Sequence, residues 1–387
     1  MIEKLSKATL KLGVIAGGQL GKMLIQEASK WGISTYVLDP DNSCPARDVS
    51  SVYIQGDYTD FDAVYEFGKQ VDILTYEIEN INIEALRQLK SEGIKIEPDP
   101  DVLALIQDKG YQKTFYEDKD IPTSAFSFYE NTEQIHEAID SGALQYPFVQ
   151  KVRKGGYDGQ GVALIHSVES SLLEGDSIVE SLVDIDKEIA VTIARNADGD
   201  SRCFPAVEMR FNPQSNLVED LFCPADISKD MTKKAESIAV QIIEGLDMIG
   251  LLAIEFFIDK AGNILVNEIA PRPHNSGHHT IESVVTSQLE QQLRAIFNLP
   301  LGSTKLKMPT VMLNLLGDPD AEGEVYYDGF EKALEIEGVK IHIYGKKIVR
   351  PHRKMGHITV LADSIEEALS KAKKAKSSIK VIACHKK

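Results

Sequence analysis

Apolar residues near the N-terminus fall into short blocks separated by glycines and acids. Leu12-Gly13-Val14-Ile15-Ala16 reads as a buried strand, and Gly17-Gly18-Gln19-Leu20-Gly21 as the turn after it. Met23, Leu24, Ala28 and Trp31 recur at helical spacing, and Thr35-Tyr36-Val37-Leu38 gives a second strand that stops at Asp39. Strand, glycine turn, helix and strand make a βαβ start. Ile73-Leu74-Thr75-Tyr76-Glu77 adds a later strand, whose polar end Glu77-Ile78-Glu79-Asn80 falls at the carboxyl edge, where such sheets bind ligands. Ala16 stands where G-x-G-x-x-G requires its first glycine, so the dinucleotide fingerprint is incomplete, although Asp39 would suit a ribose. A nicotinamide-dependent oxidoreductase is therefore the distant reading of this turn.

The pattern changes around Asp108. Lys109 to Lys119 reads as a helix, and Ile121-Pro122-Thr123 opens a new unit. A strand near Phe126, a helix from Glu133 to Ile139 and strands at Phe148–Val152, Val162–Ile165 and Ser177–Val179 make it a small α+β unit. From Glu188 strands dominate: Ile189–Ala194, Cys203–Met209 and Leu217–Cys223. Helices follow at Lys229–Leu246, Ile281–Phe297 and Glu366–Lys376, the last with a solvated lysine face. The expected division is 1–108, an α/β unit, 109–184, a small α+β unit, and 185–387, a mixed α+β unit.

Leu252-Ala253-Ile254-Glu255-Phe256-Phe257-Ile258 is a buried strand with one acid inside it. Asp259-Lys260-Ala261-Gly262-Asn263 has turn composition, and a second apolar stretch carries Asn267 and Glu268. A hairpin centred between Ala261 and Gly262 sets Glu255 directly opposite Glu268. Opposed carboxylates in an apolar hairpin repel. A divalent cation removes that cost, and a few hard oxygen ligands with the rest of the shell left to phosphate and water suit Mg²⁺. The stretch Asn267-Glu268-Ile269-Ala270-Pro271-Arg272-Pro273-His274-Asn275-Ser276-Gly277-His278-His279 follows the acid, rich in groups that bind anions and metals.

Two basic segments accompany the hairpin. In Lys151-Val152-Arg153-Lys154-Gly155-Gly156-Tyr157-Asp158-Gly159-Gln160-Gly161 the glycines let amides turn inward on an anion, and Lys151 adds charge at a strand end. It is not a Walker A loop, because no Gly-Lys-Ser/Thr follows. Near the C-terminus, Lys346, Lys347, Arg350, Arg353 and Lys354 cluster with His352 and His357, and Arg353 and Lys354 suit a substrate phosphate. Ser177-Ile178-Val179-Glu180-Ser181-Leu182-Val183 is a strand running into a linker. Composition does not separate an adenine-reading segment from a plain connection there.

Composition narrows the class. The chain has 387 residues, 43% hydrophobic and 26% charged, as in ordinary globular proteins of more than one domain. A net charge of -17 argues against a general nucleic-acid binder. No signal-peptide-like segment opens it, and no apolar run spans a bilayer. Cys44, Cys203, Cys223 and Cys384 lack metal-site spacing, which predicts reduced thiols and a cytoplasmic protein.

The order of these signals resembles that of the ATP-grasp enzymes of purine synthesis, specifically the N5-carboxyaminoimidazole ribonucleotide synthetases, once named as ATPase subunits of phosphoribosylaminoimidazole carboxylase. Gly-Gly-Tyr-Asp-Gly-Gln-Gly at 155–161 and Pro-Arg-Pro-His-Asn-Ser-Gly-His at 271–278 carry the likeness, which covers nearly the whole chain. It implies an ATP-grasp fold: a Rossmann-like N-terminal (pre-ATP-grasp) domain, a small mobile lid, and a C-terminal catalytic domain with a terminal subdomain that binds the substrate phosphate. It implies that ATP, bicarbonate and 5-aminoimidazole ribonucleotide become N5-carboxyaminoimidazole ribonucleotide, ADP and phosphate through carboxyphosphate.

The resemblance also implies roles. Glu255, Asn267 and Glu268 would hold Mg²⁺. Lys109 and Lys151 would contact ATP phosphates, with Gly156, Tyr157, Asp158, Gly159, Gln160, Gly161 and Val162 closing over them. Glu180, Ser181, Leu182, Val183 and Glu188 would hold adenine and ribose. Arg272 and His274 would stabilise the bicarbonate-derived anion, with Tyr157 and Asp158 over the reacting amine. Gln19, Leu20, Glu77, Asn275, Lys346, Arg353 and Lys354 would hold the ribonucleotide. Lys109 departs from relatives that carry arginine there. A homodimer, and a mutase that receives the product, are implied partners. Formate-dependent glycinamide ribonucleotide transformylases share Pro-Arg-Pro-His but typically carry Asp where this chain has Asn275. A non-catalytic nucleotide sensor is disfavoured by the intact acidic pair.

Overall fold

The computed structural model describes residues 10–155, 161–211 and 218–384. The first unit is a parallel sheet. Strands β1 (Lys11–Ile15), β2 (Ser34–Asp39), β3 (Val52–Gln55), β4 (Ile73–Tyr76) and β5 (Lys95–Ile96) lie in the order β3-β2-β1-β4-β5. Helices α1 (Gln19–Ser29), α2 (Phe61–Gly68), α3 (Ile83–Ser91) and α4 (Pro100–Gln107) connect or follow them. Sheet order reverses beside β1, the switch point where open α/β sheets bind ligands. Ala16 takes a φ of 68°, so the turn keeps the left-handed geometry that glycine favours, with an alanine in its place.

Helix α5 (Lys109–Asp118) begins where the sequence pattern changes, and Asp108 caps it by accepting from Gly110 N at 2.8 Å. Strands β6 (Phe126–Tyr129), β7 (Phe148–Val152), β8 (Val162–Ile165) and β9 (Ser177–Ser181) form a separate antiparallel sheet in the order β6-β9-β7-β8, accompanied by α6 (Thr132–Asp140). This sheet encloses a small core of Ile135, Phe148, Ile165 and Val179.

The largest sheet takes β10 (Ile185–Arg195), β11 (Ser201–Cys203), β12 (Val207–Phe211), β13 (Val218–Cys223), β14 (Gly250–Asp259) and β15 (Ile264–Ala270), and extends into the C-terminal region through β16 (Thr310–Leu316), β18 (Val339–Ile343) and β20 (Lys354–Leu361). β17 (Gly323–Asp328), β19 (Ile348–Val349) and β21 (Lys380–Ala383) make a small separate sheet. The helices are α7 (Lys229–Gly245), α8 (Thr280–Ser283), α9 (Gln288–Ile296), α10 (Phe330–Leu334) and α11 (Ile365–Ser378). Apolar residues Ile238, Ile242 and Ile243 of α7 pack in one core with Ile189 and Val191 of β10 and Leu252 and Ile254 of β14. Leu289, Leu293 and Ile296 of α9 join Leu20, Met23 and Leu24 of α1, so one core ties the first unit to α9. In α11 the alanines Ala368, Ala372 and Ala375 face inward, leaving the lysines outward as their spacing predicts.

Three expectations are corrected. The strand Cys203–Met209 is two strands, both on β10, because Pro205 lacks the N–H a continuous ladder needs. The helix Ile281–Phe297 is α8 and α9 with a break between, where Ser287 Oγ accepts from Glu290 N at 3.1 Å and starts a new helix. The acidic hairpin pairs Glu255 with Glu268 as expected, but its tip is centred on Ala261. Phe256 pairs with Val266, Phe257 with Leu265 and Ile258 with Ile264, and a bulge at Asn267 absorbs the difference.

Candidate active site

The bulge places two residues, Asn267 and Glu268, against one, Glu255. Glu255 keeps 16% side-chain exposure, and burial, then Glu268, then Glu188 push its carboxyl up to about 8. Burial alone pushes Glu188 up to about 7. Glu188 lies on β10, where it pairs with Phe257 of the neighbouring strand. Among the described residues no group of three His, Cys, Asp or Glu side chains closes into a metal site. Two carboxylates and the Asn267 amide offer a few hard oxygens, which suit a cation that takes its other oxygens from phosphate and water, as Mg²⁺ does.

The cations lie beside this pair. Lys151 Nζ donates to Asn267 Oδ1 at 3.1 Å and sits 3.1 Å from Glu180 Oε2. Lys109 feels Glu268, Lys151, Glu79 and Glu180, and burial lowers its pKa. Glu180 is nearly inaccessible and is held in the charged form by Lys151 and Lys113 against the opposing effect of burial. Its carboxylate also accepts from Ser124 Oγ at 2.9 Å. The expectation that this carboxylate accepts from an adenine amino group thus meets one already engaged by three donors. The linker beyond it, Ser181 to Val183, is partly or fully exposed, and Ser181 N donates to Ala125 O at 2.9 Å.

Of the three basic residues before the glycines, only Lys151 faces the acidic pair. Arg153 clamps Asp108 through two hydrogen bonds of 3.0 and 2.9 Å, and Lys154 lies 3.6 Å from the same carboxylate. Arg153 and Lys154 thereby tie the glycine segment to the start of α5. Gly161 has a φ of 76° and accepts from Val152 N at 2.9 Å, and Val162 pairs with Lys151 across the β7–β8 hairpin. The expectations for Gly156, Tyr157, Asp158, Gly159 and Gln160 lie outside the described residues.

Arg272 donates through Nε and Nη2 to Glu79 Oε1, at 2.8 and 2.7 Å, joining the anion-binding segment to the edge of the first sheet. His274 Nδ1 lies 3.0 Å from Ser276 Oγ and 3.8 Å from Glu255. Burial, then Arg272 and Lys354, hold its pKa well below the usual histidine range, so His274 is neutral near pH 7. A buried glutamine sets the bend: Gln288 Oε1 accepts from His274 N at 3.0 Å, and Gln288 Nε2 donates to His274 O at 2.9 Å. Asn275 exchanges hydrogen bonds with Asn314, at 2.9 and 3.3 Å.

The ribonucleotide candidates divide. Gln19 and Leu20 open α1, but the Leu20 side chain is core, leaving its main chain for any ligand. Glu77 accepts from Gly18 N and Gly21 N, while burial pushes its carboxyl up. Asp39 accepts from Gly17 N at 2.7 Å. These carboxylates cover the amides at the start of α1, the place a dinucleotide pyrophosphate would take, which removes the nicotinamide reading. Lys346 donates to Lys354 O at 2.9 Å, and Arg353 to Ile348 O at 2.7 Å. Hydrogen bonds from Ser43 lower the Asp41 pKa, and Arg353 and Lys347 add to that effect, so the C-terminal basic cluster acts on the loop after β2.

Several residues of this region went unread as site residues in the sequence: Lys22, Asp108, Lys113, Gln288 and Asn314. Lys113 had a signal, being four residues after Lys109 on one helix face. Lys22 bridges α1 to the C-terminal region by donating to Ile343 O and Tyr344 O, each at 3.1 Å.

Models of known families divide the chain in the same order. A ribonucleotide synthetase preATP-grasp domain matches residues 9–107, an ATP-grasp domain 114–289, and a phosphoribosylaminoimidazole carboxylase C-terminal domain 310–371. An N5-carboxyaminoimidazole ribonucleotide synthase of Bacillus subtilis (strain 168) is 36% identical over 362 residues, which are 92% of this chain and 92% of the relative. The chain belongs to the N5-carboxyaminoimidazole ribonucleotide synthetase family of ATP-grasp proteins. The family member of Thermotoga maritima superposes with a TM-score of 0.89 at 43% identity, covering 97% of this chain and 100% of its own. The synthase of Aspergillus clavatus, crystallised with ADP and 5-aminoimidazole ribonucleotide, gives 0.86 at 31% identity over 96% of this chain and 98% of its own. A longer chloroplastic phosphoribosylaminoimidazole carboxylase of Vigna aconitifolia is 36% identical, and this chain spans 64% of its length. Within the synthetase frame, the acidic hairpin and glycine segment lie inside the ATP-grasp match, and Lys346, Arg353 and Lys354 inside the C-terminal match. Among the described residues no helix is long and apolar enough to cross a membrane.

Proposed function

We propose that this chain is a 5-(carboxyamino)imidazole ribonucleotide synthase, an ATP-dependent ligase of purine biosynthesis. Bicarbonate oxygen attacks the γ-phosphorus of ATP, ADP leaves, and carboxyphosphate forms. Its C–O bond to phosphate breaks, phosphate leaves, and the substrate amine bonds to the carboxyl carbon and loses a proton. The observation that carries the reading is the opposed Glu255–Glu268 pair, with Asn267 beside it and Lys151 within 3.1 Å of that amide. Phosphoryl transfer needs alignment and charge neutralisation rather than covalent help. Glu255, Glu268 and Asn267 would hold Mg²⁺, which would supply charge neutralisation for the transfer.

Lys109 and Lys151 orient the phosphates, and the glycine segment limits water, to which carboxyphosphate is labile. The main chain of residues 181–183 reads adenine, with Glu188 toward the ribose. Arg272 offers positive charge to the bicarbonate-derived anion, whereas the neutral His274 offers a hydrogen bond only. The ribonucleotide lies between Gln19 and Glu77 on one side and Asn275, Lys346, Arg353 and Lys354 on the other. Homodimer assembly and transfer of the product to a mutase rest on the family resemblance, and a cytoplasmic location on the scattered cysteines.

ADP release by the pure protein tests this. It requires Mg²⁺ and rises when bicarbonate and 5-aminoimidazole ribonucleotide are both added. Stimulation by formate with glycinamide ribonucleotide would establish the transformylase reading instead.

A further inference from the structure

Glu180 carries more positive charge than it needs. Lys113 Nζ lies 3.0 Å from Oε1 and Lys151 Nζ 3.1 Å from Oε2, and the side chains of Lys113, Glu180 and Lys151 are 4%, 5% and 12% exposed. Two buried ammonium groups on one carboxylate leave a surplus charge with little water to screen it. A bound anion is the natural complement of that surplus.

The two lysines are anchored differently. Lys113 donates to Thr123 Oγ1 at 2.6 Å and Ser124 Oγ at 3.0 Å, and lies 5.6 Å from the centre of the Phe126 ring. Thr123 in turn donates to Val266 O at 2.8 Å, which fixes this nest to the acidic hairpin. Lys151 stands on β7 just before the glycine segment and divides itself between Glu180 and the amide of Asn267. Lys113 is thus built in, and Lys151 is positioned to turn.

We propose that Lys113 is a positioning residue that alone compensates Glu180 when nucleotide binds, which releases Lys151 to the nucleotide phosphates. Without Lys113, a departing Lys151 would leave a buried carboxylate with no cation, so Glu180 would hold Lys151 back. Burial lowers the Lys113 pKa to about 8, which still leaves it mostly charged at pH 7. The inference rests on the nucleotide reading of the site.

The test is a double-mutant cycle on binding of ADP with Mg²⁺, followed by calorimetry. Lys113→Met weakens ADP binding at least tenfold in the native background. In the Glu180→Gln background, where the carboxylate charge is gone, the same substitution changes binding less than twofold. The KM for the ribonucleotide stays within twofold in both. An equal loss in both backgrounds, or no loss in either, overturns the inference. Lys113→Gln replaces Lys113→Met in the same cycle if the methionine variant does not fold. Absence of ADP binding by the native protein would instead overturn the nucleotide reading of the site.

Discussion

The first glycine turn and the acidic hairpin both withdraw carboxylates from water, and they resolve the cost in opposite ways. At the turn, Asp39 and Glu77 accept from the amides of Gly17, Gly18 and Gly21, so the protein's own anions engage three of the amides around the start of α1. At the hairpin, Glu255 meets Glu268 across the strand pair, and its carboxyl is pushed up to about 8. A carboxylate answered by amides completes the fold. A carboxylate answered by another carboxylate awaits a cation. Substitution of the two kinds should therefore act with opposite sign on stability.

The largest effect belongs to the hairpin. Glu268→Gln should lower turnover by about three orders of magnitude, because charge neutralisation by a metal contributes several kcal/mol to a transition state. Its circular dichroism should stay native, and near-normal turnover in a folded variant would falsify the two-carboxylate metal site. Next in size, Glu77→Gln should destabilise the protein by roughly 2–4 kcal/mol in urea unfolding, since an amide group cannot accept from both Gly18 N and Gly21 N. Glu255→Gln should leave stability unchanged or raise it. Matching losses in the two variants would erase the distinction between the sites.

The pH dependence sharpens the same contrast. The folded Glu255 pKa of about 8 stands above its ordinary 4.5, so its neutral form favours folding. That contribution is complete below about 4.5 and is lost as pH rises through about 8. The metal-free protein should lose stability across this window, a loss that Glu255→Gln reduces. Thermal melts with and without Mg²⁺ and an ATP analogue check it; Glu188, pushed up to about 7, keeps part of the dependence in the variant, so a pH dependence undiminished by Glu255→Gln would refute the assignment to Glu255. The smallest effect is expected at the ribonucleotide end. Arg353→Ala should raise the ribonucleotide KM about tenfold, equivalent to about 1.4 kcal/mol, with the ATP KM unmoved. A shift in the ATP constant alone would reverse the placement of the two substrates.

The sequence carries what is periodic. Strands Phe148–Val152 and Val162–Ile165 have the bounds their apolar runs predict, because Pro147 precedes the first and Gly161 the second. Counting inward from the hairpin turn also finds the Glu255–Glu268 pair. The bulge escapes, because Asp259 to Asn263 has the same turn composition whether its centre is Ala261 or the next bond, and only packing chooses. Lys113 escapes because a lysine on a short amphipathic helix reads as solvated, and only its contacts with Thr123, Ser124 and Glu180 reveal a buried one. The partner of Arg153 is likewise hidden from the sequence: Asp108, distant along the chain, is the carboxylate it clamps.

The bulge at Asn267 has a consequence for how this hairpin tolerates change in length. It lies between the carboxylate pair and the tip, so the ladder beyond it keeps its own register. Inserting or deleting residues around Lys260 and Ala261 re-pairs the strands only as far as the bulge. Glu255 and Glu268 remain opposite each other while the outer hairpin grows, shrinks or receives a foreign peptide. The bulge separates the carboxylate pair from the tip, and because Lys260 is tied to Asp184, with Nζ 2.6 Å from its carboxylate, residues 261–262 are the place to attach a probe or a tether.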